Sequence, residues 1–334
     1  YATSENSIIF WGMGISQHVH GTDNSRCLIA LSLITGQVGR PGTGLHPLRG
    51  QNNVQGASDA GLIPMVYPNY QSVEDVDIRN FFEDKWGRSL DPTKGLTVVE
   101  IMNRIVSSQM FGMYVMGENP AMSDPDQNHA RLALSKLQHL VVQDIFFTET
   151  AWFADVIFPA SAQPEKAGTY TNSNRQVQIG FPVRKTPGEA RQDWKLIVDL
   201  AKRCGLNWDY KNVSAVYTEM ASTMSSLNNI SWERLEKDGA VCYPVDDETS
   251  FGNEILFSEG FPTSNGKAKI VPADLMPPDE KPNKKYPFIL TTGRLLEHWH
   301  TGAMTRRSSM LEAQEPIPTV SMHPYDIRKL GLKR

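Results

Sequence analysis

The sequence predicts an α/β fold of doubly wound, mostly parallel sheets, of the three-layered αβα type that binds nucleotides. One observation behind this prediction is the order of elements between residues 112 and 159, where short apolar runs alternate with helical patterns. Parallel strands need a crossover between them, and a helix commonly supplies it. A second observation is the apolar run at residues 7–11, which a glycine turn and then a helical pattern follow.

Composition excludes several classes of function. The chain has 334 residues and a net charge of −4 at pH 7, so it has no general attraction for nucleic acid. No apolar run reaches the ~18 residues of a spanning helix, so no membrane span is expected in this portion. The three cysteines are far apart and indicate no disulfide framework, which favours a reducing, cytoplasmic location.

The first predicted elements are a strand at residues 7–11 and a tight turn at residues 12–14. Thr22 or Asp23 is expected to cap the next helix, whose apolar face continues to Gly36. A glycine turn between a strand and a helix suits phosphate, because the first N–H groups of the helix face the anion. A simple packing turn is the alternative.

A polar, glycine-rich loop is predicted over residues 36–56. Glycine lets the backbone approach a ligand closely, and the scarcity of apolar side chains argues against a core element. Guanidinium groups, carboxamides and bare N–H groups suit a large, polar, anionic ligand. A solvated loop without a ligand is the alternative.

The strand pattern returns at residues 112–116, 140–144 and 155–159, with a helix predicted over 126–137. Ligands of doubly wound sheets bind beyond the carboxyl ends of the strands. We therefore expect the loops after Trp11, Met116 and Asp144 to converge on one cleft. The polar candidates just past the strand ends are Gly117, Glu118, Asn119, Asp144 and Thr148.

The second half of the chain is more mixed. An apolar-poor loop at 168–176 precedes a helix predicted over 193–203. A Pro-rich linker is expected at 272–285, a strand at 286–292 and a helix near His323. The expected apolar face of the 193–203 helix comprises Trp194, Ile197, Leu200 and Ala201, and the expected packing anchors after it are Trp232, Phe251 and Phe257.

Two histidine pairs could serve a metal, since side chains two apart on a strand share a face. They are His18 with His20 and His298 with His300, and neither has Cys, Asp or Glu at the usual ligand spacing. Ligand contact or solvation is favoured, and no metal ligand is assigned. The sequence also lacks a hydrolase nucleophile elbow and a basic face with interleaved aromatics.

These segments resemble the catalytic (alpha) subunits of formate dehydrogenases, in the molybdopterin oxidoreductase (DMSO reductase) superfamily. The resemblance covers nearly the whole chain in the family's order, and the run Arg-Gly-Gln-Asn-Asn-Val-Gln-Gly at 49–56 is its most specific part. The matching stretches are 13–17, 39–44, 48–59, 116–120, 143–146, 154–159, 188–191, 292–294, 298–302 and 304–307.

The resemblance implies a cofactor of two molybdopterin guanine dinucleotides with molybdenum or tungsten. It also implies that the metal ligand and a 4Fe-4S cluster domain lie upstream of Tyr1, and that this portion alone is inactive. The implied division is the end of a dinucleotide-binding-like α/β domain (1–50), a second α/β domain (51–165) and a mixed α+β segment with cofactor loops (166–282). The start of a C-terminal β-barrel follows at 283–334.

The resemblance assigns Arg49 as the catalytic residue, because a planar guanidinium offers formate two parallel donors and a full charge. Neutralisation of a cofactor phosphate is the alternative role for Arg49. Asp144 and Asp193 suit the N1–H and amine of guanine. The full set of implied cofactor-binding residues is Gly12, Met13, Gly14, Ser16, Gln17, Gly50, Gln51, Asn53, Gln55, Gly117, Glu118, Asn119, Gln143, Asp144, Thr148, Asn172, Arg175, Asp193, Arg294, His298 and Thr305.

The implied function is interconversion of formate and CO2, with electrons passing to partner subunits that carry Fe–S, flavin or hydrogenase sites. Two alternatives remain at this point. A related enzyme such as a nitrate reductase would keep the cofactor residues and change those at the substrate. A cofactor-free structural subunit of a redox complex would keep only the fold.

Overall fold

The computed structural model describes residues 1–333, which form two compact units. Unit 1 comprises Tyr1–Val98 and Ser161–Pro287. Unit 2 comprises Val99–Ala160 and residues 288–333. Each unit is therefore assembled from two separate stretches of the chain, so its core depends on contacts distant in sequence.

The fold is mixed α/β, with two parallel and two antiparallel sheets in the described residues. Short 3-10 turns lie between several of the elements. In chain order the helices and strands are β1 (Ile8–Trp11), α1 (Met13–Ser16), α2 (Gly21–Ile34), β2 (Gly44–Pro47), α3 (Val54–Asp59), β3 (Val66–Tyr67), β4 (Gln71–Ser72), α4 (Val76–Trp86), α5 (Val98–Val106), β5 (Gly112–Met116), α6 (Pro120–Ser123), α7 (Gln127–Lys136), β6 (His139–Asp144), β7 (Val156–Pro159), β8 (Gly168–Thr171), β9 (Gln176–Gly180), α8 (Asp193–Arg203), α9 (Val213–Ala221), α10 (Trp232–Asp238), β10 (Ala240–Cys242), α11 (Ser309–Gln314) and α12 (Pro324–Lys329).

The first predicted strand and helix are confirmed as β1 and α2, but the predicted turn and cap between them are wrong. Residues 13–16 form the short helix α1 instead of a tight turn. Helix α2 begins at Gly21, with His20 as its N-cap, rather than behind Thr22 or Asp23. A Cβ on Gly21 would lie 1.8 Å from the carbonyl oxygen of Ser16. The first position of α2 therefore requires glycine.

The glycine-rich stretch is only partly the loop that was predicted. Its residues 44–47 form β2, which pairs with β1 in parallel, Ile8 lying opposite Gly44. Its last residues begin helix α3. The β2 residues are only partly buried, as expected of an element outside the core. Pairing with β1 satisfies the backbone of this polar segment, and the local sequence does not reveal such a partner.

Unit 2 contains the parallel sheet that the element order predicted. Its strand order is β5-β6-β7, with Val115 opposite Val142 and Val142 opposite Ile157. Helix α7 lies between β5 and β6 in the chain, capped by the side chain of Asp126. The core of this unit lies between the sheet and its helices and consists of Val115, Ala121, Leu134, Leu140, Val142 and Ala151, with Met102, Ile105 and Ala133 beside them.

Unit 1 contains a hairpin where a loop was expected. Residues 168–176 supply strand β8 and the turn into β9, and β10 pairs with the other edge of β9. Polar residues occupy the exposed face of this sheet, so the alternation of a half-buried strand was not recognised. The core against its other face comprises Val177, Tyr217, Met224, Leu227, Ile230, Trp232, Leu235, Val241 and Val245.

Helix α8 has the predicted bounds, but its buried face is shifted. The residues buried along it are Leu196, Val198 and Ala201, whereas Leu200 is exposed. Among the expected packing anchors, Trp232 is confirmed in the core of unit 1. Phe251 and Phe257 are wrong, since they are 66% and 43% exposed. Both lie in irregular chain after β10, where no strand or helix orients them inward.

The C-terminal stretch gives one wrong prediction and two confirmed ones. Residues 286–292 form no strand, because no segment within residues 1–333 pairs with them, and Ile289 and Leu290 are exposed. The Pro-rich stretch at 272–285 is irregular, and α12 begins directly after His323, both as expected. The C-terminal β-barrel remains a prediction. No helix within residues 1–333 is long and apolar enough to cross a membrane.

Two glycines of the loop allow a paired stability test. Gly36 and Gly39 have φ of 67° and 75°, but a Cβ meets nothing at Gly36 and would lie 2.6 Å from the carbonyl oxygen of Phe257 at Gly39. Gly36→Ala should lose roughly 1–2 kcal/mol for the left-handed backbone alone. Gly39→Ala should lose at least about 1 kcal/mol more because of the clash.

Urea unfolding of the full-length variants measures this difference, with Gly36→Ala as the control for backbone strain. Equal losses of unfolding free energy in the two variants would contradict the close packing of Gly39 against Phe257.

Candidate active site

The carboxyl ends of β5 and β6 meet in unit 2, and a buried carboxamide joins the loops that follow them. Asn119 donates from Nδ2 to Oε2 of Glu149 at 2.8 Å. Its Oδ1 accepts from the backbone N of Thr150 at 3.1 Å and from the Thr150 hydroxyl at 2.8 Å. Gly117, with φ of 65°, donates its N–H to the carbonyl of Gln143 at 2.9 Å. The sequence-predicted residues at this edge therefore do come together.

Thr148 is the polar group at this edge whose hydrogen-bonding capacity is unused. The residue is 3% exposed, and within residues 1–333 its Oγ1 has no hydrogen-bond partner. Leaving a buried hydroxyl unsatisfied is unfavourable, so the position suits a ligand atom.

Charge is distributed unevenly along the same edge. Burial, followed by the neighbouring Asp124 and Asp144 carboxylates, raises the pKa of Glu118. The Asn119 hydrogen bond, a backbone hydrogen bond and the more distant charges of Arg307 and Arg131 lower the pKa of Glu149. The raised pKa favours the protonated form of Glu118, while the lowered pKa favours the carboxylate form of Glu149.

Gln143 and Asp144 differ in accessibility although they are adjacent. The Gln143 side chain is fully buried, and its Oε1 accepts from the hydroxyl of Tyr114. Asp144 is half-buried, and its Oδ1 accepts from the backbone N of Ile145 at 2.6 Å. Asp144 can therefore present a carboxylate to a ligand, whereas the side chain of Gln143 supports the sheet edge.

The C-terminal stretch of unit 2 brings His298 and Thr305 together. A carbonyl can only accept, so Nε2 of His298 donates to the Glu315 oxygen, 2.8 Å away. Nδ1 of His298 lies 3.2 Å from Oγ1 of Thr305, and the backbone N of Trp299 donates to this hydroxyl oxygen at 3.0 Å. Arg294 is exposed. The cofactor roles of these residues stay predictions.

In unit 1, the segment after β1 exposes two side chains of the predicted set, those of Ser16 and Gln17. Ser16 donates its hydroxyl to the carbonyl of Gly12 at 3.3 Å, and His18 donates from Nε2 to the carbonyl of Gly14 at 2.8 Å. These bonds close the short helix α1. The Gln17 side chain is exposed and can contact a ligand, while Met13 is half-buried.

The loop from Arg49 to α3 is anchored at one end and accessible at the other. Oδ1 of Asn53 accepts from the backbone N of Thr171 in β8 at 2.8 Å. Arg49, Gly50 and Gln51 are exposed. Among the described residues the Arg49 guanidinium has no hydrogen bond or ion pair, although its charge acts on Tyr70. Its donors are therefore available to an anion.

The remaining predicted residues in unit 1 have protein partners. Asn172 accepts from the backbone N of Gln176 at 3.0 Å within the hairpin turn. Arg175 donates its guanidinium to backbone carbonyls, namely those of Tyr243, Asn253 at 3.0 Å and Glu254 at 3.1 Å. The guanidinium of Arg175 therefore supports this fold directly.

Asp193 forms an ion pair with Lys166, and both side chains are mostly buried. Burial, and then the Asp193 charge, raises the pKa of nearby Tyr170. Sequence reasoning did not assign Lys166 a role, because nothing in its neighbourhood marks it as a partner of a residue 27 positions away.

The chain belongs to the molybdopterin oxidoreductase family. The model of that family, described as molybdopterin oxidoreductase, matches residues 2–203, and a second description, molydopterin dinucleotide binding domain, matches residues 288–334. The two matches support a molybdopterin cofactor, and they place the loop at Arg49 and the edge at Asn119 within the family's segments.

Among curated relatives, the alpha subunit of an F420-dependent formate dehydrogenase of Methanocaldococcus jannaschii is 43% identical over 100% of this chain and 49% of its own length. A putative formate dehydrogenase of Staphylococcus aureus is 39% identical over 97% of this chain and 33% of its own length. The chain thus spans between a third and a half of the relatives it matches.

Among solved structures, acetylene hydratase from Pelobacter acetylenicus resembles the chain with a TM-score of 0.55. The identity is 19%, and the match covers 77% of this chain and 38% of that one. At this identity the likeness concerns the fold alone.

Glu149 provides a pH test of the Asn119 junction. Its folded pKa lies below the ordinary 4.5, so its ionised form stabilises the fold above about pH 4.5 and loses that effect as pH falls through the folded pKa. The free-energy gap between wild type and Glu149→Gln should therefore shrink on acidification, from about 1 kcal/mol or less because solvent screens the group.

Urea unfolding of the full-length protein from pH 7 to pH 3.5 measures this gap. Glu248→Gln, at an exposed position, is the control and should leave the unfolding free energy unchanged. A gap for Glu149→Gln that is constant with pH would contradict the assignment.

Proposed function

We propose that this chain is the central portion of the catalytic subunit of a molybdopterin-dependent formate dehydrogenase, which interconverts formate and CO2. The observation that carries the proposal is the exposed Arg49, whose guanidinium is available to an anion at the end of an anchored loop. The relatives named as formate dehydrogenases align over nearly the whole chain, including this loop.

The donors and acceptors of the chain fit a pterin dinucleotide. Thr148 offers a buried hydroxyl without a partner in the described residues, and Gly117 has a positive φ with no side chain at the strand end. Pterin and guanine edges mix donors and acceptors, which carboxamides such as Gln51 can match. Asp144 and Asp193 would accept from guanine. The metal, molybdenum or tungsten, and a 4Fe-4S cluster belong to the same proposal.

The chemistry assigned to this chain is recognition and orientation of formate. The bound cofactor supplies the two-electron acceptor for the C–H bond. Arg49 would hold the formate carboxylate by two parallel charge-assisted bonds, which fixes the direction of the C–H bond. A lysine keeps the charge but lacks the planar fork, so it positions the substrate less well.

The electrons are proposed to leave through partner subunits with Fe–S, flavin or hydrogenase sites. A cytoplasmic location is part of the proposal and is supported by the three free cysteines, two of them exposed.

Metal analysis of the purified full-length protein tests the class of function. Molybdenum or tungsten together with formate-dependent reduction of a dye supports the proposal, and absence of both metals would refute it.

Arg49 provides the sharpest test of substrate recognition. Arg49→Ala should lower kcat/KM for formate by about 10- to 100-fold, the value of a lost charged hydrogen bond. Arg49→Lys should retain more activity, because it keeps the charge. Steady-state kinetics of the full-length enzyme measure both, and metal and pterin content should stay at the wild-type level.

Arg88→Ala is the control, since it removes an exposed guanidinium elsewhere in unit 1. Its kcat/KM should equal that of wild type. A different outcome is that Arg49→Ala loses its pterin while Arg49→Lys keeps the wild-type pterin content. Arg49 would then bind the cofactor rather than formate.

If Asp144 and Asp193 bind the guanine groups, changing either carboxylate should weaken cofactor retention. Asp144→Asn and Asp193→Asn each replace an accepting oxygen with a donor that faces the donors of guanine. Each should weaken retention by about 1–3 kcal/mol, measured as guanine nucleotide released on denaturing the full-length enzyme. Lys166→Met breaks the ion pair of Asp193 but keeps its carboxylate, so it should retain the cofactor. Unchanged nucleotide content in both Asp variants would refute the assignment.

A further inference from the structure

A buried carboxylate lies at the end of the helix that follows residues 49–53, here called the substrate loop because it carries Arg49. Asp59 ends helix α3 and is 4% exposed. Among residues 1–333 it has no ion pair, so hydrogen-bond donors alone compensate its burial. A buried carboxylate is stable only when such donors are present, which makes each of them important for the position of α3.

Two residues near the substrate loop supply part of this compensation. Nε2 of Gln55, one turn earlier on the same helix, donates to Oδ1 of Asp59 at 2.7 Å. The same Nε2 lies 3.3 Å from the hydroxyl of Tyr70. Burial, followed by the Asp59 charge and a hydrogen bond to Asp59, raises the pKa of Tyr70, while Arg49 lowers it. The charges of Asp59 and Arg49 therefore shift the pKa of Tyr70 in opposite directions.

The third donor comes from a distant part of the chain. The hydroxyl of Tyr243 donates to Oδ2 of Asp59 at 2.8 Å, across 184 positions of sequence. Burial and the Asp59 charge raise the pKa of Tyr243, so the hydroxyl stays a donor. Its backbone is held on both sides by Arg175, since Tyr243 N donates to the Arg175 carbonyl at 3.1 Å and the Arg175 guanidinium donates to the Tyr243 carbonyl.

Tyr243 lies between residues 203 and 288, outside both segments that match the family descriptions. The intervening segment thus reaches the helix that follows the substrate loop. Next to this contact is a cavity of 230 Å3, whose wall includes Asp59 and Asn53, the residue that anchors the loop.

We propose that Tyr243 is a positioning residue for formate recognition, acting through Asp59 and Gln55 on the loop that carries Arg49. The proposal rests on the proposed function, in which Arg49 binds formate. The Tyr243–Asp59 hydrogen bond holds the end of α3, and the Gln55–Asp59 hydrogen bond extends this restraint to the first turn of the helix, which directly follows the loop. Among the described residues the Arg49 guanidinium makes no hydrogen bond, so the proposed restraint acts on the backbone of its loop.

The test compares two hydroxyl deletions in the full-length holoenzyme. Tyr243→Phe removes the bond to Asp59 and should lower kcat/KM for formate about fivefold, mainly through KM. Tyr217→Phe is the control, since it removes a buried hydroxyl whose hydrogen bond is to the Ile230 carbonyl at 2.8 Å and not to Asp59. It should leave kcat/KM at the wild-type value. Equal effects of the two variants would overturn the proposal.

A second arm asks whether Tyr243 acts through Arg49. In an Arg49→Lys background, Tyr243→Phe should cause no further loss in kcat/KM, because residues that act as one unit are not additive. A full, additive fivefold loss would overturn the proposal. Asp59→Asn, which keeps the shape of the side chain, provides a second variant and should show the same non-additivity.

A third arm needs no turnover. Amide hydrogen exchange over residues 49–59 should be faster in Tyr243→Phe than in wild type and unchanged in Tyr217→Phe. Unchanged exchange in Tyr243→Phe would overturn the proposal even if formate is oxidised. Faster exchange in a protein that does not oxidise formate would support the loop restraint and refute the proposed function, so that the two failures are distinguishable.

Discussion

Satisfaction of polar side chains that leave solvent is the constraint on which both candidate regions depend. Asn119 uses both ends of its carboxamide to join the loops after β5 and β6. Asn53 accepts from the backbone of β8 and so holds the loop that carries Arg49. Each of these amides has strong directional requirements, and meeting them fixes a loop that has little apolar surface of its own.

This arrangement separates groups that support the fold from groups that can meet a ligand. The guanidinium of Arg175 and the side chain of Gln143 are engaged within the protein. The donors of Arg49 and the hydroxyl of Thr148 have no hydrogen-bond partner among the described residues. A ligand that mixes anionic, donor and acceptor groups gains most from the second kind, since the protein does not compete for them.

The segment between the two family-matched regions contributes more than a connection. It supplies Trp232 to the core of unit 1 and Tyr243 to the buried carboxylate of Asp59. The residues that differ among enzymes with a shared cofactor need not lie at the cofactor itself. A restraint that reaches a binding loop from a distant segment can change how a ligand is recognised, even when the residues that contact the ligand stay the same.

The sequence alone determined the α/β class, the strands β1, β5, β6 and β7, the bounds of α8 and the family, because continuous apolar runs and dense short motifs are local signals. Only the tertiary structure decided that the polar residues at 44–47 pair as β2 and that 168–176 belongs to a hairpin. It also decided that the apolar run at 286–292 stays unpaired within residues 1–333. Strand pairing requires a neighbour, and a neighbour distant in sequence leaves no local pattern. The partners Lys166, Asp59 and Tyr243 escaped sequence reasoning for the same physical reason: a hydrogen bond or ion pair between side chains is defined by distance in space, which only the folded chain sets.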